Sequence, residues 1–334
     1  MNLSDNVSII IVTYNHIKFI NECLNSLTKK KSFEIIVVDN KSTDGTPEFI
    51  GKKFPNVTLI RNSENYGYGI GNNIGVNSAN MDFIVILNPD TKVTEDAIDA
   101  LVKPLENQEN IITTPKILLY DGSKINTCGN IEHFTGLTFT RGLGVGSELF
   151  DNEEFINGLS GACFAIKKKD YIKLKGFDKN FLVYMEDAEL SWKSNLYGFN
   201  ILYVPKSVIF HEYQLKVSPE KIFHLERGRY VILRKYFDWK TLLIISPSLL
   251  MTELLTWGYS VLNGLSGLKY KYKAIREGLT FKVEKNHINN NELLNKLEWE
   301  IPMNQLNYNF IDVFIKKIAN FVYNLNYHII MKWR

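Results

Sequence analysis

Cysteine is scarce in this chain: Cys23, Cys128 and Cys163 are the only three in 334 residues, widely spaced and odd in number. None has metal-ligand spacing, so they read as packing residues in a reducing compartment. An excess of one charge is also missing. Lys and Arg total 39 against 36 Asp and Glu, and a formal charge of +3 gives no ground for a nucleic-acid partner. The opening stretch MNLSDNVSIIIVTYN lacks the basic start and long apolar segment of a secretory signal, which favours the cytoplasm. Repeats and low-complexity tracts do not stand out. One apolar stretch, Leu242–Leu262, has membrane-spanning length, but Pro247, Glu253 and Gly258 interrupt it. With 45% apolar and 22% charged residues, the composition is that of a folded chain, long enough for one large α/β domain and an appendage.

What is present is the rhythm of alternating strands and helices. The β-branched run Val7–Thr13 predicts a strand buried on both faces. Further strands are predicted at Phe33–Val38, Val57–Ile60 and Phe83–Leu87, with helices near Ile17–Leu27 and Pro47–Lys53. The glycine-rich stretch Gly67–Gly75 leads into a short helix, and Thr94 is expected to cap a helix reaching Leu105. Such β-α repeats imply an α/β fold with a mostly parallel, doubly wound sheet. Residues 121–157, rich in Gly, Thr and Asn, read as a hairpin-bearing loop. Order returns at Asn157–Ile166, with helices near Lys169–Lys175 and Asp187–Tyr197, a strand at Asn200–Val204, and a basic helix at Pro219–Tyr236. The expected division is therefore 1–237 for the α/β domain and 238–334 for a helical region.

Ligands of such sheets bind beyond the carboxyl ends of the strands. Four polar clusters fall there: Thr13-Tyr14-Asn15, Asp39-Asn40 with Asp44-Gly45, Asn88-Pro89-Asp90, and Glu186-Asp187. Each alone is ordinary turn or helix-start chemistry. Together at one sheet edge they suit transfer of a group from a nucleotide diphosphate. Asp39 can accept hydrogen bonds from a base or ribose. Asp90 offers the hard oxygen a divalent cation needs, and that cation offsets charge on a departing diphosphate. Of the neighbours Glu186 and Asp187, about 100° apart on a helix, one can take the acceptor's proton while the other supports the site.

The blocks VSIIIVTYN, IIVVDNKSTDG, ENYGYGIGNNIGV, ILNPDT, SGACFAIKK, GFDKNFLVYMEDAELSWK and GFNILYVPKSVIFHE, in this order over about residues 6–237, resemble the family 2 glycosyltransferases of the GT-A fold. Their similarity is greatest to the rhamnosyltransferase-type branch. The resemblance implies an inverting, metal-dependent transferase using a nucleotide diphosphate sugar, with dTDP-rhamnose one guess among several. It implies nucleotide contacts at Thr13, Tyr14 and Asp39, and places Asp44, Asn65 and Asn73 near the nucleotide. It makes Asp90 the last acid of the metal-binding D-x-D motif, whose first position here is Asn88. It makes Asp187 the base, Glu186 its partner, and His211 a further ligand to Mn²⁺ or Mg²⁺. Arg227 and Arg229 fall where basic residues approach the diphosphate, although Glu226 and Arg229 at i, i+3 would also pair on a solvated face.

The C-terminal region differs in kind. Basic residues crowd it, and Phe310, Phe314, Phe321 and Leu325 fall near one face of a helix over Phe310–Ile330, beyond a polar linker at Asn286–Asn291. Amphipathic, aromatic and basic patterning fits an interfacial helix on the inner face of the cell membrane, near a glycan or lipid-linked acceptor. A soluble helical subdomain is the plainer alternative. Among rival activities, a nucleotidyltransferase would carry a basic glycine-rich loop where TYNHIKF stands, and a dinucleotide oxidoreductase would show G-x-G-x-x-G after the first strand. A non-catalytic nucleotide-sugar binder would not need the acids at 90, 186 and 187.

Overall fold

Every residue of Val7–Thr13 (β1) is buried, because this strand runs down the middle of a sheet covered on both sides. Its side chains alternate between two cores: Ile9 and Ile11 pack with Leu24, Val37 and Leu101, while Ile10 and Val12 pack with Val38, Val76 and Ile86. A strand covered on both faces needs apolar residues at consecutive positions, and each such side chain contributes about 1.5–3 kcal/mol by burial. The computed structural model describes residues 3–28, 32–213, 218–286, 290–303 and 310–332.

Around β1 lie β2 (Glu34–Asp39), β3 (Thr58–Arg61) and β4 (Phe83–Leu87), with β1 parallel to β2 and β4, and β2 parallel to β3. Helices α1 (Ile20–Thr28), α2 (Thr46–Lys53) and α3 (Tyr68–Ser78) make the crossovers. The glycine-rich stretch forms α3 itself. Its Gly71 and Gly75 lie one turn apart, and a Cβ on Gly75 would stand 2.3 Å from Ile10 Cγ2, so small residues let the helix press against β1. After β4, Thr91–Val93 is a short strand, β5, and α4 (Ala97–Asn107) follows. Thr94 is not the cap: its hydroxyl donates to Val208 O (3.0 Å), tying β5's end to the strand it pairs with.

The rest of the sheet comprises β6 (Ile111–Leu119), β7 (Ile125–Thr127), β10 (Glu154–Ile156), β11 (Cys163–Lys167) and β12 (Asn200–His211), with β8 (Asn130–Glu132) and β9 (Thr138–Thr140) forming a separate pair. The main order is β10-β12-β6-β11-β4-β1-β2-β3, with β11 antiparallel to both neighbours. Helices α5 (Lys168–Lys173) and α6 (Glu186–Leu196) precede β12. Strand β12 runs past Pro205 because its register slips between Val204 and Val208, a bulge that carries the chain on to His211, opposite Thr91. Trp192 is core, fully buried in α6.

Residues 1–130 and 140–214 form one unit, and 131–139 with 215–334 another. The boundary thus falls before α7 (Pro219–Tyr236) rather than after it, since that helix packs on α10 (Gly264–Thr280). The second unit also contains α8 (Trp239–Ile244), α9 (Ser246–Leu262), α11 (Asn290–Lys296) and α12 (Phe310–Lys332). No described helix is long and apolar enough to cross a membrane. Glu253, which interrupts the apolar run, points into a buried ion cluster with Arg229 and Lys271. The middle of the expected linker, 287–289, and the side chain of Phe310 lie outside the described residues.

Candidate active site

Parallel pairing sets Thr13 beside Asp39 at the carboxyl edge of the sheet. Asp39 is 1% exposed, and its Oδ2 accepts the Ser42 N–H (3.0 Å) while its Oδ1 is buried without a hydrogen-bond partner. An unsatisfied buried acceptor costs about 1–3 kcal/mol, which a ligand N–H or O–H would relieve. Tyr14, 46% exposed, stands next to it in sequence on the same loop.

The other polar residues of these loops hold the loops themselves. Asn15 takes a left-handed φ of 60°, donates its N–H to Ser42 Oγ (2.8 Å) and accepts the Thr43 N–H on Oδ1 (2.8 Å). Asp44 accepts from Ile17 N (3.0 Å), Thr46 N (3.1 Å) and Thr46 Oγ1 (2.6 Å). Burial works to raise the Asp44 carboxyl, and these bonds outweigh it, holding the group below its ordinary value. Asn65 accepts the Gly67 N–H (3.0 Å) in a local turn. Asn73 was expected near the nucleotide, but its side chain is engaged elsewhere: Oδ1 accepts from Tyr171 Oη (2.7 Å) and Phe177 N (3.0 Å), and Nδ2 donates to Phe177 O (2.9 Å).

Asp90 and His211 meet because β5 pairs with the end of β12. His211 Nδ1 lies 2.9 Å from Asn126 Oδ1, which can only accept, so Nδ1 carries a proton. In the neutral ring Nε2 would present its lone pair 3.2 Å from Asp90 Oδ1, a buried oxygen with no hydrogen-bond partner. Two acceptors facing each other at that distance fit a divalent cation bound by both. One carboxylate oxygen and one imidazole nitrogen suit Mn²⁺ better than Mg²⁺. No group of three or more acids, histidines and cysteines gathers among the described residues, so substrate oxygens or water would have to complete the coordination. A cavity of about 180 Å³ opens at Asp90, lined also by Lys18, Glu22, Tyr120 and Glu212.

Glu186 and Asp187 open α6 after two consecutive left-handed residues, Tyr184 (φ 62°) and Met185 (φ 69°). Non-glycine residues in that region cost about 1–3 kcal/mol each, a strain that clusters at functional sites. Asp187 Oδ2 accepts from Asn130 Nδ2 (3.1 Å) and Gly161 N (3.1 Å), and Oδ1 accepts the Ala188 N–H (2.8 Å). Burial still pushes Asp187 up, as suits a group that must take a proton near neutral pH. Glu186 is more deeply buried, with Oε2 unpartnered, and burial followed by the charge of Asp187 raises it.

Three residues here escaped the sequence reading as individuals: Asn126 and Asn130, whose partners lie 85 and 57 positions away, and Tyr68, which sits inside a quoted glycine-rich block. Arg229 lies in the second unit. It is 2% exposed, and Glu226 (2.9 Å) and Glu253 take its guanidinium inside the second unit, so the anticipated pairing with Glu226 is buried rather than solvated. Arg227 lies 3.8 Å from Glu277 and stacks on Phe281 at 4.6 Å.

The model of "Glycosyl transferase family 2" matches residues 8–173, from β1 to the end of α5, which stops short of Asp187 and His211. The N-acetylglucosaminyl-diphospho-decaprenol L-rhamnosyltransferase of Mycobacterium tuberculosis is 24% identical over 260 residues, 69% of this chain and 85% of that protein. The rhamnosyltransferase WbbL of Escherichia coli is 26% identical over 221 residues, 61% of this chain and 83% of that protein. Among solved structures, GalNAc-T7 with UDP, GalNAc and Mn²⁺ superposes with a TM-score of 0.60 at 19% identity, covering 83% of this chain and 56% of that one. The fold is GT-A, and the chain belongs to glycosyl transferase family 2.

Proposed function

We propose that this nucleotide-sugar-dependent glycosyltransferase works by a single displacement that inverts the anomeric centre, with Asp187 as base. The observation that carries the reading is the Asp187 carboxylate: it is fixed by three hydrogen bonds at the start of α6 and raised by burial. The donor's nucleoside lies against Thr13 and Tyr14 and donates a hydrogen bond to Asp39 Oδ1. The acceptor hydroxyl attacks the anomeric carbon from the side opposite the diphosphate. Its proton passes to Asp187 as the new C–O bond forms, and the bond to the phosphate oxygen breaks, releasing the nucleoside diphosphate. Asp90 and His211 would hold a divalent cation, Mn²⁺ or Mg²⁺, which when bound offsets the charge of the departing diphosphate. Glu186, neutral in its buried setting, supports the start of α6.

The two rhamnosyltransferase relatives favour dTDP-rhamnose as donor, and the decaprenol-linked substrate named for one of them favours a glycan on a lipid carrier as acceptor. The reading includes a cytoplasmic location, peripheral on the inner face of the cell membrane, where such donors and acceptors meet. Purified protein incubated with a panel of UDP-, GDP- and dTDP-sugars tests it by release of nucleoside diphosphate. Slow release from one donor, present with Mn²⁺ and lost with EDTA, is expected. Donor binding with no metal effect on release would contradict the metal-assisted step.

A further inference from the structure

Helix α9 is built inside out. Its Ser248 and Thr252 are buried, the first donating to Asn326 Oδ1 (2.6 Å) and the second meeting the Tyr323 hydroxyl (2.9 Å), and Glu253 joins the Arg229–Lys271 ion cluster. The opposite stripe, Leu250, Leu254, Val261 and then Leu265 beyond the helix end, faces outward, with Leu254 63% exposed. Helix α12, which touches α9, buries Ala319, Tyr323 and Ile330 and yet also carries apolar residues outward. Its Lys316 and Asn326 are buried, Lys316 pairing with Asp312 at 2.6 Å. Meanwhile Phe314, Ile318, Phe321 and Leu325 recur every three or four residues on the outside, Phe321 at 69% exposure. A helix facing water carries the opposite pattern, with leucines in and hydroxyls and charges out. Two touching helices that both turn an apolar stripe outward have an outer side matched to a medium less polar than water.

We propose that the outward face of α9 and α12 seats on an anionic lipid bilayer, lying in the plane of the headgroup boundary. Charge favours lipid over a neutral protein partner. Residues 215–334 hold 18 Lys and Arg against 10 Asp and Glu, whereas the whole chain carries only +3. Lys240, Lys269, Arg276 and Lys317 are exposed on these helices or their neighbours. Trp239, 68% exposed with Lys240 Nζ 5.9 Å from its ring, supplies the aromatic-cation pair typical of a bilayer interface. Since no described helix can cross a membrane, the helices rest on the surface.

The inference deepens the proposal of a membrane-borne acceptor, and its test reads binding rather than turnover, so its failure leaves the chemistry at Asp187 standing. The full chain is floated with phosphatidylcholine vesicles, with and without phosphatidylglycerol, at low and high salt. Wild type is expected to float with the anionic vesicles, less so in high salt. The double variant Leu254→Asp/Phe321→Asp, altered only on the outer face, should bind at least tenfold more weakly while melting as wild type does. Recovery of wild type in the aqueous phase with both vesicles would overturn the proposal. So would equal flotation of the double variant, or a solution dimer that these substitutions dissociate without any vesicle binding, which would make the face a self-association surface.

Discussion

Tyr68 and Asp187 hold Gly161 from its two sides. The Tyr68 hydroxyl donates to the Gly161 carbonyl (2.6 Å), and the Gly161 N–H donates to Asp187 Oδ2 (3.1 Å). Tyr68 is also the first residue of α3, where its N–H reaches Leu182 O (3.2 Å), five residues before Asp187. Only a glycine fits just ahead of it: Gly67 has φ 83°, and a Cβ there would lie 2.3 Å from Leu182 O. The start of α3 and Asp187 are thus linked to each other by hydrogen bonds through Gly161 and Leu182.

Tyr68→Phe tests that link. It removes one hydroxyl and leaves the ring in place. Transfer should slow about tenfold, a loss of ~1.4 kcal/mol, through kcat, with donor binding within about twofold of wild type. An unchanged kcat would mean that the Gly161 segment holds Asp187 without help.

Asn130→Ala removes a donor that stabilises the Asp187 carboxylate. Asp187 must be ionised to accept a proton, and its value is already raised by burial, so activity falls as pH drops through it. Losing the Asn130 bond raises it further and moves the acidic limb of the kcat profile to higher pH. A limb that stayed in place or moved down would remove Asp187 from the rate-determining proton transfer.

Glu186 makes the fold less stable as pH rises. Its folded-state value lies above the roughly 4.3 of an unfolded glutamate, so between the two the folded protein binds more protons. Its share of stability is full at acidic pH and is lost as pH climbs through the raised value. Glu186→Gln cannot ionise, so melting temperatures compared at pH 5 and pH 8 should fall less for the variant than for wild type. Equal drops would show that Glu186 is not held neutral.

Asn126→Ala frees the His211 ring that Asn126 Oδ1 now orients. Loss of such an outer partner typically costs 10–100-fold in metal affinity. The Mn²⁺ concentration needed for half-maximal activity should rise accordingly, with donor binding in EDTA unaffected. An unaltered Mn²⁺ requirement would separate His211 from the metal.

Much of the first unit is legible in the chain because its strands are covered on both faces. Val7–Thr13 and Phe83–Leu87 are apolar at every step or nearly so, and both strands span the residues their patterns predict. Strand β6 escaped the reading, since Thr113, Thr114, Pro115 and Lys116 break its apolar run. The reach of β12 to His211 was hidden by Pro205, a residue that ends most strands but here sits at a bulge. For the site, position after a strand identified Asp39 and Asp90 as candidates, and position at a helix start Asp187. It could not tell which polar residues are engaged from afar: Asn73 meets Tyr171 and Phe177, and Arg229 meets Glu253, through contacts across the fold.

The most direct test of the account is transfer by Asp187→Asn beside calorimetric donor binding. Asn keeps the shape of the side chain but cannot take the acceptor's proton. The account predicts that turnover falls at least about a thousandfold, toward the upper range of a lost general base, while donor affinity stays within about threefold. Near-normal turnover by the Asn variant would contradict the assignment of Asp187 as the base and the displacement mechanism built on it.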